Sequence, residues 1–253
     1  MKYDGILLCS DFDGTLAVEA TISEENIDAI KMFQTNGGKF TLATGRSPAF
    51  VANKFSDISF NAPLISLNGA AIYDLKADKM LSMACLDDPS AFVIDIFTNE
   101  KCYQVNIFNK DFSEHFIKKS EPDCVERLAK CLVADYILKI VFIFEDTDTP
   151  VVLANKFRPL YSDKFYFARS WGYSLEVNST NGTKGAALQK IKSLLPDVTT
   201  TVGVGDFDND LSLVECADIG YAVANASDEV KSVANRITVS CKEHAIAKII
   251  YEL

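Results

Sequence analysis

The chain has 253 residues, enough for one large domain or two modest ones, and a hydrophobic fraction of 48% can fill a real core. Its 35 acidic against 25 basic residues leave a net charge of −10, which argues against a broad nucleic-acid or anionic-membrane surface, where clustered Lys and Arg are expected. No apolar run approaches the length of a membrane span or a secretory leader, so a cytoplasmic protein without nucleic-acid or membrane partners is expected.

In chain order, GILLCSDFDGT (5–15), KFTLATGR (39–46), APLISLNGA (62–70) and, far downstream, TTVGVGDFDND (200–210) share one design. Each is a short apolar or β-branched run ending in polar residues and glycine, as expected of strands in a mostly parallel sheet covered on both faces. Between them, Ser23 caps a stretch with Ile27, Ile30 and Phe33 at helical spacing, stopped by Gly37-Gly38, and Ser227 precedes Val230 and Val233. The alternation predicts an α/β fold, a Rossmann-like doubly wound sheet.

The middle of the chain reads differently. A hairpin is expected over 72–83, a helix opening at Asp88-Pro89, a strand at CYQVNIF (102–108), a helix at PDCVERLAKCL (122–132), a strand at YILKIVFIFED (136–146) and a helix at TPVVLANKFRPLYS (149–162). FYFARS (165–170) and YSLEV (173–177) close the region as strands turning at Trp171-Gly172. Paired strands with helices between them predict a small α+β domain inserted into the larger one. The larger domain is expected over 1–83 and 178–253, the insert over 84–177, with NSTNGT (178–183) as the return linker. The seven cysteines are scattered, contain no CxxC pair and mostly stand among apolar residues, so they read as small core side chains.

In doubly wound sheets ligands bind beyond the carboxyl ends of the strands. The polar tails of the four runs therefore predict a meeting of Asp11, Asp13, Thr44, Asn68, Asp206 and Asp210. Strand alternation carried past Asp11 turns Phe12 away and points both carboxylates at one crevice. Gathered carboxylates need a hard cation, and few oxygen ligands plus waters suit Mg²⁺. With two histidines in the whole chain, a His-rich zinc site and a Ser-His dyad are both poorly supplied, which leaves a carboxylate as nucleophile. Phosphoryl transfer through an aspartyl-phosphate fits: Asp11 attacks and binds metal, Asp13 protonates the leaving oxygen and later activates water, and Thr44 and Lys184 meet the phosphoryl oxygens. Asp206 completes the metal site, with Asp210 holding a ligand water and Lys184.

These segments resemble the haloacid dehalogenase superfamily, specifically its Cof-like phosphatases with an inserted type IIB cap. DFDGT (11–15) is similar to the family's DxDGT, Thr44-Gly45-Arg46 to its second motif, Lys184-Gly185 to its third and GDFDND (205–210) to its GDxxND; NGAAIYD (68–74) also fits the branch. The resemblance implies Mg²⁺-dependent hydrolysis of small phosphorylated metabolites, often sugar phosphates. It implies Asp11, the Asp13 backbone carbonyl and Asp206 as metal ligands, and Thr44, Gly45, Lys184 and Asn209 near the phosphate, with Arg46 and Asn68 as further candidates. It also makes the insert the specificity element, with His115, Arg169, Trp171 and Tyr173 as candidates there. VANA (223–226) and SCKEHAIA (240–247) depart from the family pattern beside the site. A phosphomutase of the same superfamily and a non-catalytic phosphometabolite-binding protein stand as alternatives.

Overall fold

The computed structural model describes residues 1–55, 58–134 (residue 134 by its backbone) and 136–253. They form two units, Met1–Ser82 with Thr183–Leu253, and Met83–Gly182.

The first unit opens with β1 (Ile6–Ser10), a short hairpin of β2 (Ala17–Val18) and β3 (Thr21–Ile22), α1 (Glu24–Thr35), β4 (Lys39–Leu42) and α2 (Pro48–Lys54). Ser23 caps α1 by accepting from the Asn26 amide, and Ser47 caps α2 with Pro48 in its first turn. β5 (Leu64–Ser66), β6 (Ala71–Asp74) and β7 (Lys79–Met83) follow as a three-stranded meander. The third apolar run thus differs from expectation. β5 pairs antiparallel with β6 and meets the parallel sheet through the isolated bridge Ala43–Ile65, because the chain turns back within five residues instead of crossing over through a helix.

The second unit contains α3 (Ser90–Asn99), β8 (Cys102–Asn109), β9 (Glu114–Lys118), α4 (Cys124–Ala134), β10 (Ile137–Phe144), α5 (Asp148–Phe157), β11 (Phe165–Ala168) and β12 (Ser174–Ser179). Its antiparallel sheet, ordered β11-β12-β10-β8-β9, buries one alternate set of side chains, including Val105, Ile107, Ile140, Phe142, Leu175 and Val177, against helix residues such as Phe92, Val93, Leu128 and Leu153. β9 was not expected from EHFIK, whose sole buried side chain is Ile117. Asn178 and Ser179, placed in the return linker on sequence, are the last residues of β12 and are buried. Trp171 and Tyr173 stand exposed beside each other at the β11–β12 turn, and His115 faces the Asn109 amide across the β8–β9 pair.

The chain then re-enters the first unit with α6 (Lys184–Leu194), β13 (Thr200–Gly205), α7 (Leu211–Cys216), β14 (Ile219–Ala222), α8 (Asp228–Val233), β15 (Arg236–Ile237) and α9 (Ala245–Glu252). The central sheet is parallel throughout, in the order β15-β14-β13-β1-β4. Along β1, Leu8 joins the cluster containing Ile30, Phe33, Ile246 and Ile250 of α1 and α9, while Leu7 and Cys9 join Leu188, Ile191 and Leu213 of α6 and α7. Both faces are therefore covered, which is why its strands read as near-continuous apolar runs. Cys9 and Cys102 are buried, and Cys124 and Cys131 pack half-buried against the core of the second unit, so core packing accounts for these four; Cys85, Cys216 and Cys241 are partly or fully exposed. Among the described residues no helix is long and apolar enough to cross a membrane.

Candidate active site

The strand order places β13, β1 and β4 side by side, so the residues just beyond their carboxyl ends, Asp206, Asp11 and Thr44, become neighbours despite their separation in sequence. Asp11 remains tied to the sheet edge by its amide, which donates to the Val204 carbonyl at 2.9 Å. Carboxylate oxygens of Asp11, Asp206 and Asp210 all lie within 4.8 Å of one another. Lys184, fully buried in the first turn of α6, donates from Nζ to Asp11 Oδ1 and to Asp210 Oδ1, each at 2.6 Å. Asp210 uses its other oxygen to accept from the backbone amides of Asp206 at 2.9 Å and Phe207 at 3.3 Å, which folds the loop after β13. Thr15 Oγ1 donates to Asp206 Oδ1 at 2.8 Å. Gly14 makes this approach possible: its φ is +87°, and a Cβ there would lie 2.6 Å from Asp206 Oδ2.

Burial raises the Asp11 carboxyl well above the usual carboxylate range, helped by the charge of Asp210 and opposed by Lys184. Burial and then Asp210 push Asp206 up to about 7, while the Thr15 hydroxyl pulls it back. Burial opposes the charge of Lys184, but Asp11 and Asp210 more than offset it and hold the ammonium protonated. Three carboxylates face one ammonium, and every ligand atom of the cluster is a hard oxygen. That donor set and charge deficit fit a divalent cation of the Mg²⁺ type and suit a soft metal poorly.

Asp13 stands apart from this trio. β1 ends at Ser10, so strand alternation does not extend to Asp13, whose backbone instead bridges to Ala17. Its half-exposed side chain pairs with Arg46, Nε to Oδ2 at 3.2 Å and Nη2 to Oδ1 at 3.4 Å. Phe12 does turn away, into the core against Phe55. Thr44 is buried, its hydroxyl accepting from the Arg46 amide at 3.2 Å across Gly45. Asn209, in a single turn of 3₁₀ helix over 208–210, donates from Nδ2 to Asn68 Oδ1 at 3.2 Å. Thus Asp11, Lys184, Asp206 and Asp210 form one cluster, Asn68 and Asn209 a second contact, and Asp13 and Arg46 a third.

Sequence reasoning missed Asn225. Its Nδ2 donates to the Gly14 carbonyl at 2.9 Å and its Oδ1 accepts from the Cys241 amide at 2.9 Å, so the two segments that depart from the family pattern meet each other behind the first motif. No local signal carries that pairing.

The sequence profile of haloacid dehalogenase-like hydrolases matches residues 8–250. Phosphatase YwpJ of Bacillus subtilis is 25% identical, over 98% of this chain and 99% of its own length. The 5-amino-6-(5-phospho-D-ribitylamino)uracil phosphatase YitU of the same organism is 23% identical, over 100% of this chain and 98% of its own length. A solved haloacid dehalogenase-like hydrolase from B. subtilis shares the fold with a TM-score of 0.81 at 22% identity, covering 98% of this chain and 99% of its own. The chain belongs to the haloacid dehalogenase-like hydrolase family, and within it to the Cof-like phosphatases.

Proposed function

We propose that this phosphatase hydrolyses small phosphorylated metabolites of the sugar- or polyol-phosphate kind, with Mg²⁺, through a phosphoryl group carried on Asp11. The observation that carries the reading is the trio of Asp11, Asp206 and Asp210 around Lys184, a buried group in which one ammonium leaves carboxylate charge unbalanced. Asp11, Asp206 and the Asp13 backbone carbonyl would hold the cation, with Asp210 fixing Lys184 and the loop. When bound, the cation supplies positive charge that keeps Asp11 ionised and offsets the charge of the phosphoryl oxygens.

Asp11 Oδ attacks phosphorus in line, and the bond from phosphorus to the leaving oxygen breaks as Asp13 delivers its proton to that oxygen. Asp13, now a carboxylate, takes a proton from a water whose oxygen attacks the aspartyl-phosphate; phosphate leaves and Asp11 is restored. Lys184, the Thr44 hydroxyl, the Gly45 amide, the Asn209 amide and Arg46 hold the phosphoryl oxygens. The exposure of the Asp13–Arg46 pair suits a proton carrier, because such a pair holds its members weakly. Residues of the inserted unit, 84–177 on the sequence reading, select the substrate. The ribityl phosphate in the name of YitU fits the proposed class, since it is a phosphomonoester on a polyol chain.

A phosphate-release screen with Mg²⁺ over sugar phosphates, polyol phosphates, nucleotides and phosphorylated cofactors tests this. Turnover on a polyol or sugar phosphate, lost in EDTA and recovered with Mg²⁺, is the expected result. Turnover indifferent to thorough chelation would refute the metal assignment. Phosphoryl label retained in a bisphosphate would make the protein a mutase, and tight ligand binding without release would make it a binding protein.

A further inference from the structure

Leu67, Asn68 and Gly69 carry φ values of +49°, +59° and +107° in succession, three left-handed residues in a row, and all three are buried. Leucine resists that conformation, and a backbone of this kind persists only where its surroundings hold it. Here they do so on three sides. The Leu67 amide and Ser66 Oγ both donate to the Arg46 carbonyl, at 3.2 and 2.7 Å, and the Asn68 amide donates to the Thr44 carbonyl at 2.9 Å. Gly69 lies so close to the start of α6 that a Cβ would fall 2.2 Å from the Thr183 carbonyl and 2.7 Å from the Lys184 backbone nitrogen. Asn68 Oδ1 accepts from Asn209 Nδ2 at 3.2 Å. One strained turn thereby touches the segments that carry Thr44 and Arg46, Lys184, and Asn209.

The geometry points to Asn68 as a positioning residue: through its side-chain oxygen it sets the direction of the Asn209 amide, and through its backbone it ties Thr44 to that amide. This rests on the proposed function, in which Asn209 and Thr44 meet the phosphoryl group. An amide nitrogen has two hydrogens. With one committed to Asn68, the second has a defined direction and can meet a phosphoryl oxygen without reorganising. The strain is the means by which the turn reaches all three segments, since a relaxed strand or helix at 67–69 could not direct the Asn68 amide and side chain to Thr44 and Asn209 together.

A double-mutant cycle on the full chain decides it, with inhibition by inorganic phosphate, kcat and KM as readouts beside thermal melting. Asn68→Gly accepts the left-handed backbone but lacks the amide; Asn68→Ala lacks both. Asn68→Gly should melt near wild type and Asn68→Ala lower, yet both should weaken phosphate inhibition by about tenfold, the loss of one directed hydrogen bond. Asn209→Ala should weaken it similarly, and Asn68→Gly/Asn209→Ala should be no worse than Asn209→Ala. Wild-type phosphate inhibition in Asn68→Gly, losses that multiply in the double variant, or inhibition that follows melting temperature across the Asn68 pair would each overturn the inference. Unchanged inhibition in Asn209→Ala would instead strike the reading of Asn209 as a phosphate contact. Should Asn68→Ala not fold, the cycle stands on Asn68→Gly.

Discussion

Both units bury charge, and they do so in opposite ways. In the inserted unit Lys139 of β10 and Glu176 of β12 lie on one sheet face, nearly inaccessible, with Nζ 3.2 Å from Oε2 and the ammonium 4.9 Å from the centre of the Phe108 ring. There a carboxylate and an ammonium pair with each other. At the strand ends of the other unit, Lys184 is shared between Asp11 and Asp210, with Asp206 alongside. Burial of an ion pair is therefore not what marks a reactive centre, since a paired charge can serve packing alone. The mark is a charge excess that the protein does not balance itself, together with carboxyls driven away from their ordinary titration.

The sharpest break between the two regions is catalytic. Asp11→Asn should lower kcat by at least about 10³-fold, the scale of losing a nucleophile, while melting as a folded protein. Glu176→Gln should retain turnover in the same assay. Near wild-type turnover in Asp11→Asn would remove the nucleophile from Asp11.

Stability separates them next. Lys184→Met leaves Asp11 and Asp210 buried without their ammonium and should cost about 3–5 kcal/mol in urea unfolding of the metal-free protein. Lys139→Met alone should cost a similar amount, yet Lys139→Met/Glu176→Met should be neutral or stabilising by up to about 4 kcal/mol. No such rescue is expected from Lys184→Met/Asp210→Met, because Asp210 also holds the amides of Asp206 and Phe207. Equal rescue in both regions would erase the distinction.

A third effect is on pH dependence. Asp206 titrates at about 7 in the folded metal-free chain against a model-peptide value of 3.8, and Asp11 is raised as well. Between pH 4 and about 7 the unfolded chain has released the Asp206 proton while the folded chain keeps it, so through this group stability falls as pH rises across that window, and Asp11 acts in the same direction. Melting temperatures in EDTA should decline across that window, the decline should shrink in Asp206→Asn, and saturating Mg²⁺ should suppress it. A rise across the same window in EDTA would contradict it.

What the linear chain determined by itself is the set of strand-end motifs and their surroundings. Apolar runs closed by DFDGT, TGR and GDFDND specify parallel strands whose ends lie together, because a sheet covered on both faces has only those ends for polar groups. Ser23 and Ser227 announced helix starts through the same local capping chemistry. Tertiary structure alone decided which polar side chains meet. Asp13 follows the end of β1 and turns to Arg46, so it leaves the carboxylate trio that Asp210 joins. The strand ILKIVFIF conceals a buried lysine whose partner, Glu176, lies 37 residues on. Asn68 draws Asn209 across 141 residues, from a turn no propensity favours. Such contacts depend on register and loop closure between distant segments, and a local pattern carries the periodicity of its own element but not the direction from which a partner arrives.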